Sequence, residues 1–180
     1  MTKYVALLRG INVGGNNIIK MVELKACFEQ MGFADVETHI QSGNVVFATS
    51  KKSAGLEAGI ERGLEKKFGY TGHVVIIPQK TLLHILQEAP KDFGKEPKKY
   101  RYDVIFLKNP LTPTRAMKAV VTHDSVDEAY RGKHALYFKR LIAKSAQSKL
   151  PKLIQKPEYK LMTIRNWNTS TRLLSMLESL

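Results

Sequence analysis

Residues 37–49, ETHIQSGNVVFAT, place two strand-like runs, Glu37–Gln41 and Asn44–Thr49, on either side of Ser42-Gly43. Glycine tolerates the positive φ of a tight turn, so the stretch reads as a β-hairpin. On its N-terminal side, Met21, Leu24, Phe28 and Met31 recur at helical spacing, and Gly32 stands where a left-handed stop is expected. Ahead of that helix, Lys3–Leu8 reads as a buried strand, joined to it by a Gly/Asn loop, Gly10–Asn17. On the C-terminal side, Leu56, Ile60, Leu64 and Phe68 stripe a second helix, and His73–Pro78 supplies a fourth strand. The order is βαββαβ, which folds into an antiparallel sheet with two helices on one face, the ferredoxin-like arrangement.

The same order starts again after a connecting helix from about Gln79 to Ala89 and a lysine-rich linker, Pro90–Lys99. Tyr102–Leu107 reads as a strand. Pro113 suits the first turn of a helix whose Met117, Val120 and Val121 face one side. Val126–Tyr130 and Ala135–Lys139 form a hairpin about Arg131-Gly132, Leu150, Leu153 and Ile154 suggest a helix, and Lys160–Ile164 is the last strand. Leu173, Met176, Leu177 and Leu180 stripe a C-terminal helix. The expected fold is α+β: two tandem ferredoxin-like lobes with antiparallel sheets, residues 1–78 and 101–180, joined by a helix and basic linker at 79–100. Ligands favour domain interfaces, so a cleft between the lobes is the expected place for a site.

The chain has 180 residues, is 43% hydrophobic and carries a formal charge of +13. The apolar runs Val74–Pro78 and Val104–Leu107 are far shorter than the ~20 residues of a membrane-spanning helix, and no secretory signal is visible, so a cytoplasmic protein is expected. Residues 1–90 hold 10 Lys and Arg against 8 Asp and Glu, whereas residues 91–180 hold 19 against 8. Arg131–Arg172 alone has 11 basic residues and one acid, Glu158. That asymmetry implies an anionic partner, or else a solubilising face.

Three blocks contain more polar chemistry than turns and caps require. RGINVGGNN, Arg9–Asn17, could cradle a phosphate on backbone N–H groups freed by Gly14 and Gly15, with Arg9 and Lys20 neutralising it. It is neither a dinucleotide fingerprint, which would need glycine at Asn12, nor a P-loop, and a wide turn also accounts for its glycines. QSGN, Gln41–Asn44, is a turn whose amides could read a polar ligand. RNWNTST, Arg165–Thr171, lies at a strand-to-helix junction where Asn166, Asn168 or Thr169 could cap the helix, and a helix N-terminus also attracts anions. The basic, serine-containing Lys139–Leu150 is either a phosphate-binding loop or an exposed one.

Conventional catalytic sets are missing. His39, His73, His84, His123 and His134 lack metal-ligand spacing, so no metal site is expected, and Cys27 sits beside the apolar stripe of the first helix as a core residue. An RNA-recognition module would need aromatics where this chain has Asn44 and Val46, or Lys133 and Ala135.

Together, VALLRGINVGGNN, Met21 with its helix, QSGNVVF, SKL and RNWNT closely resemble the domain of unknown function 1697 family, in family order and over nearly the whole chain. The resemblance implies two ferredoxin-like subdomains and bacterial cytosolic proteins as typical members; it supplies no activity, cofactor or catalytic residue. It raises the weight of the three blocks, so Arg9, Asn12, Gly14, Gly15, Asn16, Lys20, Gln41, Ser42, Asn44, Lys149, Arg165, Asn166, Asn168 and Thr169 are the expected ligand-binding residues. Binding of a phosphate-bearing or anionic ligand, nucleotide or nucleic acid, is the expected function. The alternatives are an enzyme acting on a phosphorylated small molecule, with Arg9, Lys149 and Arg165 stabilising charge, and a protein-interaction adaptor.

Overall fold

The computed structural model describes residues 1–15 and 17–180. Its elements run β1 (Thr2–Leu8), α1 (Met21–Gln30), β2 (Ala34–His39), β3 (Asn44–Thr49), α2 (Leu56–Phe68), β4 (Val74–Pro78), α3 (Gln79–Gln87), β5 (Tyr100–Leu107), α4 (Pro113–Ala119), β6 (Asp127–Arg131), β7 (Ala135–Leu141), α5 (Leu150–Leu153), β8 (Met162–Asn166) and α6 (Trp167–Ser179), with 3-10 helices at Ile142–Gln147 and Pro157–Leu161. Two four-stranded antiparallel sheets result, ordered β2-β3-β1-β4 and β6-β7-β5-β8. The protein is α+β with two tandem lobes of the expected order. By compactness it divides into Met1–Leu82 with Leu173–Leu180, and Leu83–Arg172.

In the first unit, Leu24, Cys27 and Phe28 of α1 and Leu56, Ile60 and Leu64 of α2 pack on Ala6, Leu8, Val45, Phe47 and Val74. Every residue of β3 is buried, so both of its faces are covered, which explains an uninterrupted apolar run where a half-exposed strand would alternate. In the second unit, Ile105, Leu136, Phe138 and Met162 meet Ala116 and Ala119 of α4 and Leu150 and Leu153 of α5.

Several local expectations shift. The hairpin is wider than Ser42-Gly43: it runs Ile40–Gly43, β2 ends at His39, and both Ile40 (φ +48°) and Gly43 (φ +74°) are left-handed. Gly132 has no positive φ. Glycine is needed there because a Cβ would sit 2.9 Å from the Tyr137 ring. Val121 and Ile154 are exposed, because α4 stops at Ala119 and α5 is a single turn. The expected strand from Lys160 is 3-10 as far as Leu161, and β8 begins at Met162.

That single-turn α5 positions the site. In the first unit the corresponding helix, α2, has 13 residues. In the second, Pro151 and Pro157 bracket a 4-residue helix, and proline blocks its extension. Between β7 and α5 the chain runs through the Ile142–Gln147 3-10 segment, whose Ile142 and Ser145 line a cavity.

Candidate functional site

Alternate residues of a strand share a face. Ile105 and Leu107 of β5 belong to the helix-side core, so Arg101 and Asp103 extend that face past the end of the apolar packing. Leu136 and Phe138 likewise put Arg140 on this face in β7, and Ile164 puts Asn166 on it in β8. The register sets Arg101 opposite Arg140, Asp103 opposite Asn166, and Arg140 opposite Asp127 of β6. Four strands thus contribute one polar row where the core ends.

Asp103 is almost fully buried, with Arg101 Nε 3.3 Å from its Oδ1 and Arg140 Nη2 3.5 Å from its Oδ2. The row holds two arginines and two buried carboxylates, Asp103 and Asp127, but only the arginines line the cavity, so its wall is positive. The Arg140 side chain is only 16% exposed, and its Nε is buried with no hydrogen-bond acceptor among the described residues. Arg101 and Arg140 line a cavity of about 400 Å³ together with Tyr100, Tyr102 and Ile142. Ser145, Asn168, Trp167, Pro97 and Gly94 complete its rim.

The N-terminus of α6 opens at this cavity. Asn166 caps the helix, its Oδ1 accepting from the Asn168 N–H at 3.0 Å while its Nδ2 donates to Tyr102 O at 3.2 Å. Gly94 (φ +88°) holds Trp167, since a Cβ there would overlap the indole. Phe93 packs edge-on to Trp167, with centroids 5.2 Å apart. Lys139 lies 4.1 Å from the Tyr100 ring centroid and donates to Glu128 at 2.8 Å. Hydrogen bonds from Lys139 and then Tyr130 hold the Glu128 carboxyl below its ordinary range. Burial, and then the nearby Glu88, push the Tyr137 phenol well above its ordinary value; it donates to Ile85 O.

The expected site residues of the first unit serve its backbone. Asn12 (φ +53°) accepts from the Ile19 N–H at 2.8 Å through Oδ1 and donates through Nδ2 to Ile19 O and Gln41 O, tying the glycine loop to the hairpin turn. Asn44 is fully buried and donates to His39 O and Ser42 Oγ, closing that turn. The Arg9 N–H and C=O both bond the Tyr70 hydroxyl. Gly14, Gly15, Lys20 and Gln41 are exposed, and Gly14 and Gly15 have positive φ. Asn16 lies outside the described residues.

In the second unit, Asn166 and Asn168 meet at the cavity. Arg165 is buried away from it and donates to Thr163 Oγ1 and Ile164 O, while Thr169 lies within α6. The Lys149 N–H caps onto Asp127 Oδ2 at 2.7 Å, and Lys149 does not line the cavity. Arg101, Asp103 and Arg140 escaped the sequence reading because they come together through register, not along the chain. The available signal was a carboxylate inside an otherwise apolar strand, Tyr102-Asp103-Val104, with arginine two residues earlier. Among the described residues no group of three His, Cys, Asp or Glu could hold a metal, and no helix is long and apolar enough to cross a membrane.

A family model described as a protein of unknown function (DUF1697) matches residues 1–137. The chain belongs to this family. The DUF1697 match takes in both the glycine loop and the Asp103 strand, and it ends before Arg140 and the start of α6. Among solved structures, the conserved bacterial protein SP0830 from Streptococcus pneumoniae is similar along its whole length, with a TM-score of 0.85, 25% identity and 98% of each chain covered. That likeness extends across the cavity segment beyond the DUF1697 match. No curated protein matches the chain.

Proposed function

We propose that this DUF1697 protein binds a small phosphate-bearing anion in the cavity between the Arg101–Arg140 pair and the start of α6. The observation that carries the reading is that Arg101 and Arg140, which share the buried Asp103 carboxylate, both line the cavity while Asp103 does not. Guanidinium geometry suits phosphate oxygens, and the α6 N-terminus adds positive potential from its own backbone. The unit around the cavity, Leu83–Arg172, holds 19 Lys and Arg against 8 Asp and Glu, so long-range attraction acts in the same direction. The glycine loop is the weaker candidate, because the Asn12 and Asn44 amides that a ligand would use are engaged by the chain itself.

Calorimetric titration with inorganic phosphate and pyrophosphate at low ionic strength tests the reading. Saturable binding, weakened at least tenfold in Arg140→Gln, is expected. No binding by the wild type, or undiminished binding by the variant, would overturn it. A steep loss of affinity with salt for a polynucleotide, without binding of either small anion, would instead favour a nucleic-acid surface.

A further inference from the structure

We infer that the ligand of this cavity is a nucleoside monophosphate, its phosphate on Arg101 and Arg140 and its base against Trp167. The inference rests on the anion reading above and adds the chemistry of the cavity's other wall. A site for inorganic phosphate alone needs cations and backbone amides, not aromatic side chains. This one is lined by Trp167, Tyr100 and Tyr102 as well as by the arginines.

Trp167 is held in place without being fully used. Gly94 abuts the Nε1–Cδ1 edge of the indole, and Phe93 meets it at an interplanar angle of 81°, an edge-to-face contact that occupies at most one indole face. Trp167 is half-buried and lines the cavity, so part of the indole is open to a planar ring. No described residue accepts from its indole N–H.

The spacing suits one sugar between the two ends. Asn166 is opposite Asp103, so it is diagonal to Arg101, a separation of roughly 7–8 Å across an antiparallel pair. Trp167 is the next residue. The Ser145 hydroxyl and the Asn168 side-chain amide also line the cavity, as polar partners for ribose hydroxyls. The volume of about 400 Å³ lies near the lower end of ligand pockets, room for one nucleotide rather than a dinucleotide or a strand.

The test uses the chain's sole tryptophan, Trp167, as its probe. Adenosine 5′-monophosphate and ribose 5-phosphate are titrated into the full chain at low salt, followed by calorimetry and by tryptophan fluorescence. Base stacking predicts that the nucleotide binds about tenfold or more tightly than the sugar phosphate and alone changes the fluorescence. Trp167→Leu is expected to bring the nucleotide's affinity down to that of the sugar phosphate. Equal affinities without a fluorescence change would sink the nucleotide inference and leave the anion reading standing. Binding of neither compound would sink both. A single-stranded oligonucleotide binding far more tightly than the monophosphate, with a steep salt dependence, would overturn the choice of a monomeric ligand.

Discussion

Replacing Asp103 with asparagine separates the structural from the binding role of the arginine pair, because it moves stability and affinity in opposite directions. Asparagine keeps the shape but turns one oxygen into an N–H₂ facing a guanidinium. At 3.5 Å, and with an effective dielectric of about 20, the Asp103–Arg140 attraction is on the order of 5 kcal/mol before desolvation. Measured losses on removing one partner of a buried pair are about 3–5 kcal/mol. Arg140 keeps 16% exposure and Arg101 keeps 55%, so the Arg101 contact adds little and the lower end, about 3 kcal/mol, applies. For a chain of this size that corresponds to a melting midpoint lower by roughly 6–12 °C. The same change removes a negative charge from near the bound phosphate, which favours the anion by about 1.4 kcal/mol, or roughly tenfold in affinity. Thermal denaturation across a phosphate series reads both effects: the variant starts lower and its midpoint climbs more steeply with phosphate than the wild type's. A variant that is destabilised yet no more responsive to phosphate would refute the reasoning, as would one unchanged in both respects.

Ile40 combines a left-handed backbone with a β-branched side chain that is 52% exposed, so little burial offsets the strain. Ile40→Gly is expected to raise the urea midpoint, by about 1 kcal/mol in stability; a loss of stability would contradict this account of the hairpin. Asn12→Ala removes three side-chain hydrogen bonds and leaves alanine at φ +53°. It should destabilise by about 2–4 kcal/mol and speed hydrogen exchange at the Ile19 amide. Cys27 is 4% exposed, and burial raises its thiol pKa against the opposing charge of Lys67. In the folded state the thiol therefore stays protonated above its ordinary titration range, and the stability this gives is lost as pH rises through the raised pKa. Alkylation at pH 8 should be far slower than for an unfolded peptide thiol and should reach the peptide rate in denaturant.

Periodicity made most of the architecture legible, because both sheets are built from alternating or continuous apolar strands and the first-unit helices carry clean stripes. Where the reading drifted, the cause was local. Ser42-Gly43 reads as a two-residue turn because nothing in the sequence marks Ile40 as left-handed, and the Arg131-Gly132 turn needs its glycine to clear the Tyr137 ring, which no local pattern shows. Asn166 was legible as a helix cap. The glycine loop carries a surplus of amides, but amides that tie a strained loop together and amides that hold a ligand have the same composition. The Arg101–Asp103–Arg140 cluster leaves almost no local trace, since Arg140 lies 37 residues beyond Asp103 and meets it only through the β5–β7 register.

The most direct test of anion binding at the α6 end of the second sheet is a ¹⁵N–¹H NMR titration with inorganic phosphate at low salt. The Arg101 and Arg140 Nε–H signals and the Asn168 amide are expected to shift together and to saturate with one affinity. Saturable shifts confined to Gly10–Lys20, or no saturable shift at all, would contradict the account.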